Sequence, residues 1–171
     1  MSRARCGSWL LALALTGSGV ALAQHTQPFS ELGLKPQGHS APAVEYLFPE
    51  QVALTAGKPA TVELHFRVTP GLHINSHSPL GEGMIPTTLK LPDNSPVRLV
   101  KAAFPTGADF SLPLAPAEKL SVYTGEFVVR VQLLAPAGEH LVEASLRYQA
   151  CDNNACMPPH SIPVVFDVVA R

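Results

Sequence analysis

Cys151 and Cys156 are the residues of this chain best suited to do chemistry. Four residues separate them in Tyr148-Gln-Ala-Cys-Asp-Asn-Asn-Ala-Cys-Met-Pro-Pro159, a polar turn between two strand-like segments. Two thiols that close a ring can store an electron pair and return it by exchange with another disulfide. The same pair can staple a hairpin or supply two ligands to a soft metal ion. Spacing alone does not choose among the three.

Parity along the chain bears on their exposure. Leu141 to Ala150 reads as one strand and Ile162 to Val169 as the next, which puts both cysteines at the mouth of the connection. If Val142, Ala144, Leu146, Tyr148 and Ala150 face a core, then Ser145, Arg147, Gln149 and Cys151 face away from it. That expectation sets Cys151 on the polar side, beside Asp152, Asn153 and Asn154, within reach of a partner. A structural cysteine is more often buried as a small hydrophobe. As a staple, so short a ring would stabilise a folded domain by only roughly 2 kcal/mol.

The flanking residues add constraints. In Met157-Pro158-Pro159, the second proline keeps the first out of the helical region, so the backbone after Cys156 is extended and preset. Nothing adjacent strongly activates a thiol. There is no helix N-terminus or neighbouring lysine, and Asp152 disfavours a thiolate. His160 favours one only when protonated, and as a loop residue it is most simply solvated. The pair is therefore expected to react mainly inside a docked complex.

Seven histidines and three methionines invite a copper or zinc reading. His73 and His77 are the tempting pair, yet four residues of strand span about 13 Å, too far to chelate one ion unless the chain turns at Asn75-Ser76. Cys151, Cys156, His160 and one of those histidines would make a tetrahedral set. Asp109, Glu118 and the scattered serines form no nucleophile or paired-carboxylate pattern, so hydrolysis finds no support. Glu82, Glu118 and Lys119 read as loop charges.

The elements that must position the cysteines follow from targeting and periodicity. Residues 1–23 read as an export signal: Arg3 and Arg5 start it, Trp9 to Val20 is a short apolar run, and Ala21-Leu-Ala23 is a cleavage pattern. The run is too short and too rich in Gly and Ser to span a bilayer. Cys6 lies in the basic start and is removed with it. Export places the remaining pair in an oxidising compartment, where a disulfide is permitted. The 148 residues left carry ten basic and thirteen acidic side chains, a net charge near −3 and no footprint for nucleic acid.

Gln24 to Pro42 has no apolar period and reads as a flexible tail, with one domain over residues 43–171. From Val44 onward the period is two. Val62, Leu64, Phe66 and Val68 share a face, as do Phe127, Val129, Val131 and Leu133. The pattern returns in Val142–Tyr148 and Ile162–Val168. Shorter strand candidates are Glu45–Phe48, Leu72–Asn75, Thr87–Leu91 and Val97–Phe104. Seven to nine short strands punctuated by seventeen prolines predict an all-β, immunoglobulin-like antiparallel β-sandwich.

The cysteine segment, followed by Ile162-Pro-Val164, resembles the end of the N-terminal periplasmic domain of DsbD, the transmembrane thiol:disulfide interchange protein. Gly71-Leu-His-Ile-Asn-Ser-His-Ser-Pro79 with Ile85-Pro-Thr-Thr88, and Leu120-Ser-Val-Tyr-Thr-Gly-Glu-Phe127, resemble that family more weakly. The likeness runs from about Val44 to Val169. It implies a periplasmic electron relay with protein-disulfide reductase-like chemistry and no cofactor. Its implied partners are thioredoxin-like periplasmic proteins: disulfide reductases, isomerases or cytochrome c maturation thioredoxins. It further implies that Cys156 forms the mixed disulfide and Cys151 resolves it. The family's aromatic cap over the cysteines matches Val122-Tyr-Thr-Gly125, with Tyr123 as the cap. The spacing here is a short version of the family's. No electron conduit or thioredoxin-like domain follows Arg171, so a separate membrane electron donor is expected.

Overall fold

The computed structural model describes residues 42–47, 51–112 and 115–171. The expected export signal and all but Pro42 of the expected tail lie outside the described residues. Among the described residues there is no helix.

Within the described residues twelve strands form three four-stranded sheets. In the first, β1 (Val44–Leu47), β3 (Ala60–Val68), β9 (Glu126–Leu134) and β6 (Arg98–Ala103) lie in the order β1-β3-β9-β6. The second orders β2 (Val52–Leu54), β12 (His160–Ala170), β10 (Gly138–Tyr148) and β5 (Thr88–Lys90) as β2-β12-β10-β5. Only the β2–β12 pairing is parallel. The third sheet is β11 (Ala150–Cys151), β4 (His73–Asn75), β8 (Ala115–Tyr123) and β7 (Ala108–Leu112), in the order β11-β4-β8-β7.

The period-two pattern does what it predicts in the long strands. Leu64, Phe66, Val129 and Val131 from the first sheet meet Val142, Leu146, Val164 and Phe166 from the second in one core. This is the immunoglobulin-like sandwich. Inward aromatic rings stack within and between sheets: Phe66 on its cross-strand partner Phe127 at 5.2 Å, and Phe127 on Tyr123 of the third sheet at 4.8 Å between centroids. Such pairs add about 0.5–1.5 kcal/mol each beyond the area they bury.

Four strands escaped periodicity: β2, β7, β8 and β11, each short or carrying mixed residue types. The ribbon of β7 and β8 also extends the Leu120–Phe127 segment backward to Ala115. The largest departure is at Gln149. β10 and β12 pair as expected from Gly138↔Ala170 to Tyr148↔His160. The chain then leaves that sheet, and Ala150 and Cys151 pair with Ile74 and His73 of the third. The cysteines therefore lie where the chain crosses between two sheets, not in a simple hairpin mouth.

Candidate functional site

Cys151 and Cys156 form a disulfide, with Cα atoms 3.9 Å apart. They also face each other as an antiparallel bridge. The turn between them is built by its own residues. Asp152 N–H donates to Ala155 O at 3.0 Å, and Met157 N–H donates to Ala150 O at 2.8 Å. The Asp152 carboxylate accepts from the Asn154 and Ala155 amides at 2.7 and 2.8 Å. Aspartate is favoured in turns for this bonding two and three residues ahead. These two bonds hold its carboxyl below the ordinary 3.8, with the His73 imidazole contributing in the same direction. Asp152 is thus a structural cap as well as a fixed negative charge.

The two cysteines differ in access. Cys151 is 2 % exposed, while Cys156 lies on the surface. This corrects the parity expectation for Cys151. The switch of sheets after Tyr148 breaks the alternation, and Ala150 and Cys151 are buried as consecutive residues. Their partner strand β4 is buried at all three positions, His73, Ile74 and Asn75. Both strands are covered on both faces, which the period-two rule for a half-buried sheet does not anticipate.

Backbone and side chains together set the rim. Pro70 and Gly71 occupy the middle of a turn closed by Leu72 N–H to Thr69 O at 3.1 Å, with Gly71 at φ 84°. Proline first and a positive-φ glycine second is the sequence such a turn requires, and it delivers His73 into β4. Gln149 joins three segments. Its Oε1 accepts from Asn75 Nδ2 at 3.0 Å and from the Ile85 amide at 3.3 Å, while its Nε2 donates to Met157 O at 3.3 Å. Asn75 uses its second amide hydrogen on Ile85 O at 3.1 Å. The backbone immediately after Cys156 is thereby fastened to the loop that leads into β5.

Two depressions flank the disulfide. One, of about 470 Å³, is lined by Leu72, Tyr148, Met157, Pro158, Pro159 and His160, and Met157 is 42 % exposed there. The other, of about 410 Å³, is lined by Leu72, His73, Phe110, Thr124, Gly125 and Asn153 among others. Phe110 of β7 lies against His73, with ring centroids 4.3 Å apart. Gly107 permits this approach of β7. A Cβ there would overlap Ser121 Oγ and come within 2.7 Å of Ser76 Cβ.

The site is thus a disulfide on a β-sandwich, one cysteine buried and one at the surface beside Met-Pro-Pro. The family described as "Thiol:disulfide interchange protein DsbD, N-terminal" matches residues 43–165. The chain belongs to this family.

Three solved structures match this chain at low identity. The N-terminal domain of Neisseria meningitidis DsbD in the reduced form is 21 % identical, with a TM-score of 0.43 over 67 % of this chain and 81 % of that one. The N-terminal periplasmic domain of ScsB from Proteus mirabilis is 15 % identical, with a TM-score of 0.49 over 72 % of this chain and 44 % of that one. A PapD-like domain of human CEP192 is 12 % identical, with a TM-score of 0.43 over 81 % and 92 %. The search of curated proteins returned no match.

In this DsbD-family domain the expected site residues separate into two groups. Cys151, Cys156 and Asp152 meet in the turn. His160 heads β12 opposite Tyr148, its ring edge-on to that tyrosine at 6.0 Å, on the Pro158–Pro159 side. Val122 and Tyr123 are core residues instead of a lid. Tyr123 is 4 % exposed and stacked on Phe127; its hydroxyl donates to Pro105 O at 2.9 Å and accepts from the His77 amide at 3.0 Å. Strand β4 separates it from β11, because Ile74 pairs with both Tyr123 and Ala150.

The aromatic ring on the cysteine side is Phe110, which lies in a stretch with too little alternation to read as a strand. His73, weighed only as a metal ligand with His77, sits opposite Cys151. His77 is occupied elsewhere, bonded to Thr87 O at 2.9 Å and stacked on Phe104 at 4.2 Å. Among the described residues no group of three His, Cys, Asp or Glu is placed to hold a metal ion.

Proposed function

We propose that this domain is a periplasmic thiol:disulfide interchange relay, exchanging the Cys151–Cys156 disulfide with thioredoxin-like partners. Membership of the DsbD N-terminal family supports the chemistry. The single observation that carries the division of labour is the difference in exposure within one ring, Cys156 at the surface and Cys151 covered. Disulfide exchange needs in-line access to the sulfur that meets the partner and only proximity for the sulfur that resolves.

In the reduced domain the Cys156 thiolate attacks the partner's disulfide. A mixed disulfide forms and one partner sulfur leaves. Cys151 then attacks Cys156 Sγ, expels the second partner sulfur as a thiol, and closes the ring. Two electrons have moved to the partner, and a dithiol donor restores the pair. The apolar depression beside Met157 and the preset Pro158-Pro159 rim suit an extended partner segment. Phe110 is assigned the shielding role first expected of Tyr123. Export through the 1–23 signal, a tail to Pro42 and a domain from Ala43 belong to the same proposal.

The test is trapping. Cys151→Ser accumulates a mixed disulfide with a thioredoxin-like substrate, and Cys156→Ser forms none. Equal trapping by both variants removes the assigned roles. A disulfide that dithiothreitol opens only when the domain unfolds removes the relay itself.

A further inference from the structure

His73 is a buried titratable side chain that the exchange scheme leaves without a task. It is 2 % exposed, and its Nε2 has no hydrogen-bond partner among the described residues. A buried polar atom left unbonded is costly and uncommon, which points to another state of the protein in which it is bonded. The β4–β11 register sets His73 directly opposite Cys151. Residues so opposed carry their side chains on one face of the ribbon, with Cβ atoms about 4.5–5.5 Å apart. A disulfide sulfur has no proton to donate and accepts weakly, whereas a thiol on the same atom can do both. Reduction of the ring therefore creates a partner for this imidazole.

We propose that His73 accepts the proton of the Cys151 thiol during resolution of the mixed disulfide on Cys156. The inference rests on the exchange reading above. In the step, the Cys151 S–H proton passes to His73 Nε2 as Cys151 Sγ attacks Cys156 Sγ. The Cys156–partner S–S bond breaks, and its electron pair leaves on the partner sulfur. That sulfur takes up a proton, and the imidazolium returns its own to solvent or to the departing thiolate. One S–S bond is lost and one is formed, so electrons and protons balance.

The surroundings favour a neutral acceptor. Burial lowers the His73 pKa below the ordinary 6.5, so the ring is unprotonated at neutral pH, and the Asp152 carboxylate pulls the other way, favouring the imidazolium once formed. The remaining charged or titratable groups on the packed elements are the cysteines themselves, Tyr123 and the exposed Glu118 and Lys119 on β8, and Asp109 of β7, which is exposed and paired with Lys119 at 3.6 Å. Phe110 packs against the ring and limits water. A thiol of ordinary pKa is only a few per cent thiolate at pH 7. Because only that fraction attacks unaided, a built-in proton acceptor is expected to speed resolution by about tenfold.

The reduced domain, mixed with 5,5′-dithiobis(2-nitrobenzoate), separates the two steps. Attack by Cys156 releases the first thionitrobenzoate, and resolution by Cys151 releases the second. In His73→Gln, which bonds but does not titrate in this range, the first phase keeps its rate. The second slows about tenfold at pH 7 and rises only with ionisation of the thiol. An unchanged second phase and pH profile, or equal slowing of both phases, overturns the proposal. If His73→Gln does not fold, the wild-type profile decides. Its second phase follows the titration of His73 seen by NMR of the reduced form, and a profile that ignores that titration overturns the assignment. A wild-type domain that never releases the second thionitrobenzoate defeats the exchange reading, a result distinct from failure of the histidine.

Discussion

Phe110 lies on His73 at 4.3 Å between ring centroids, and His73 stands directly across the strand pair from Cys151. One aromatic side chain, 41 residues upstream of Cys151 in sequence, thus packs on the residue that faces the buried half of the pair. Removing the ring in Phe110→Ala is expected to admit small reagents to this edge. The reduced variant should be oxidised by glutathione disulfide several-fold faster than wild type, with trapping of a thioredoxin-like partner by the Cys151→Ser form retained. An unchanged rate of oxidation would show that Phe110 shields nothing.

Tyr123 provides the contrast. Its hydroxyl bridges the His77 amide and Pro105 O, both in the loops that hold the β7–β8 ribbon. Tyr123→Phe leaves the ring stack and orphans those two groups, at a cost of about 1–3 kcal/mol. The variant should unfold at lower denaturant concentration with an unchanged slope. Its rate of oxidation by glutathione disulfide should match wild type, and an acceleration like that of Phe110→Ala would make Tyr123 a lid after all.

Gln149 separates acceptor from donor. In Gln149→Glu, Oε1 can still receive Asn75 Nδ2 and the Ile85 amide, while the bond to Met157 O is lost and replaced by oxygen facing oxygen. The loop after Cys156 should loosen, seen as faster amide hydrogen exchange at Met157, and partner trapping should slow several-fold. Loss of one such bond with a repulsive replacement costs about 1–3 kcal/mol. Wild-type exchange at Met157 would mean that the Pro-Pro segment alone holds the rim.

His73 also makes stability depend on pH in a definite direction. Its folded pKa lies below the ordinary 6.5, so on acidification the unfolded chain takes up a proton that the folded domain refuses. Stability then falls as pH drops from 6.5 to the folded value and levels off below it. The melting temperature of the oxidised domain should decline over this range more steeply in wild type than in His73→Gln. Identical slopes would place the imidazole in a solvated setting. Asp152 acts lower on the scale. Its depressed carboxyl stabilises the turn above about pH 3.8, and that contribution is lost as pH falls through the folded value.

The sequence by itself determined the sandwich. Strict alternation in Ala60–Val68, Glu126–Leu134, Gly138–Tyr148 and His160–Ala170 can bury one face only as strands, and Pro/Gly turns leave no room for helices. It also singled out the cysteine pair as the residues best suited to chemistry, without choosing among exchange, a staple and metal ligation. What only the tertiary structure decided is which cysteine is covered and by what. Cys151 is buried because the chain changes sheets at Gln149, and alternation carries no information across such a change. His73 faces Cys151 through β4, and Phe110 of β7 packs on His73, contacts that depend on register between segments far apart in the chain. Local periodicity records which face of a strand meets a core; it does not record which strand lies alongside.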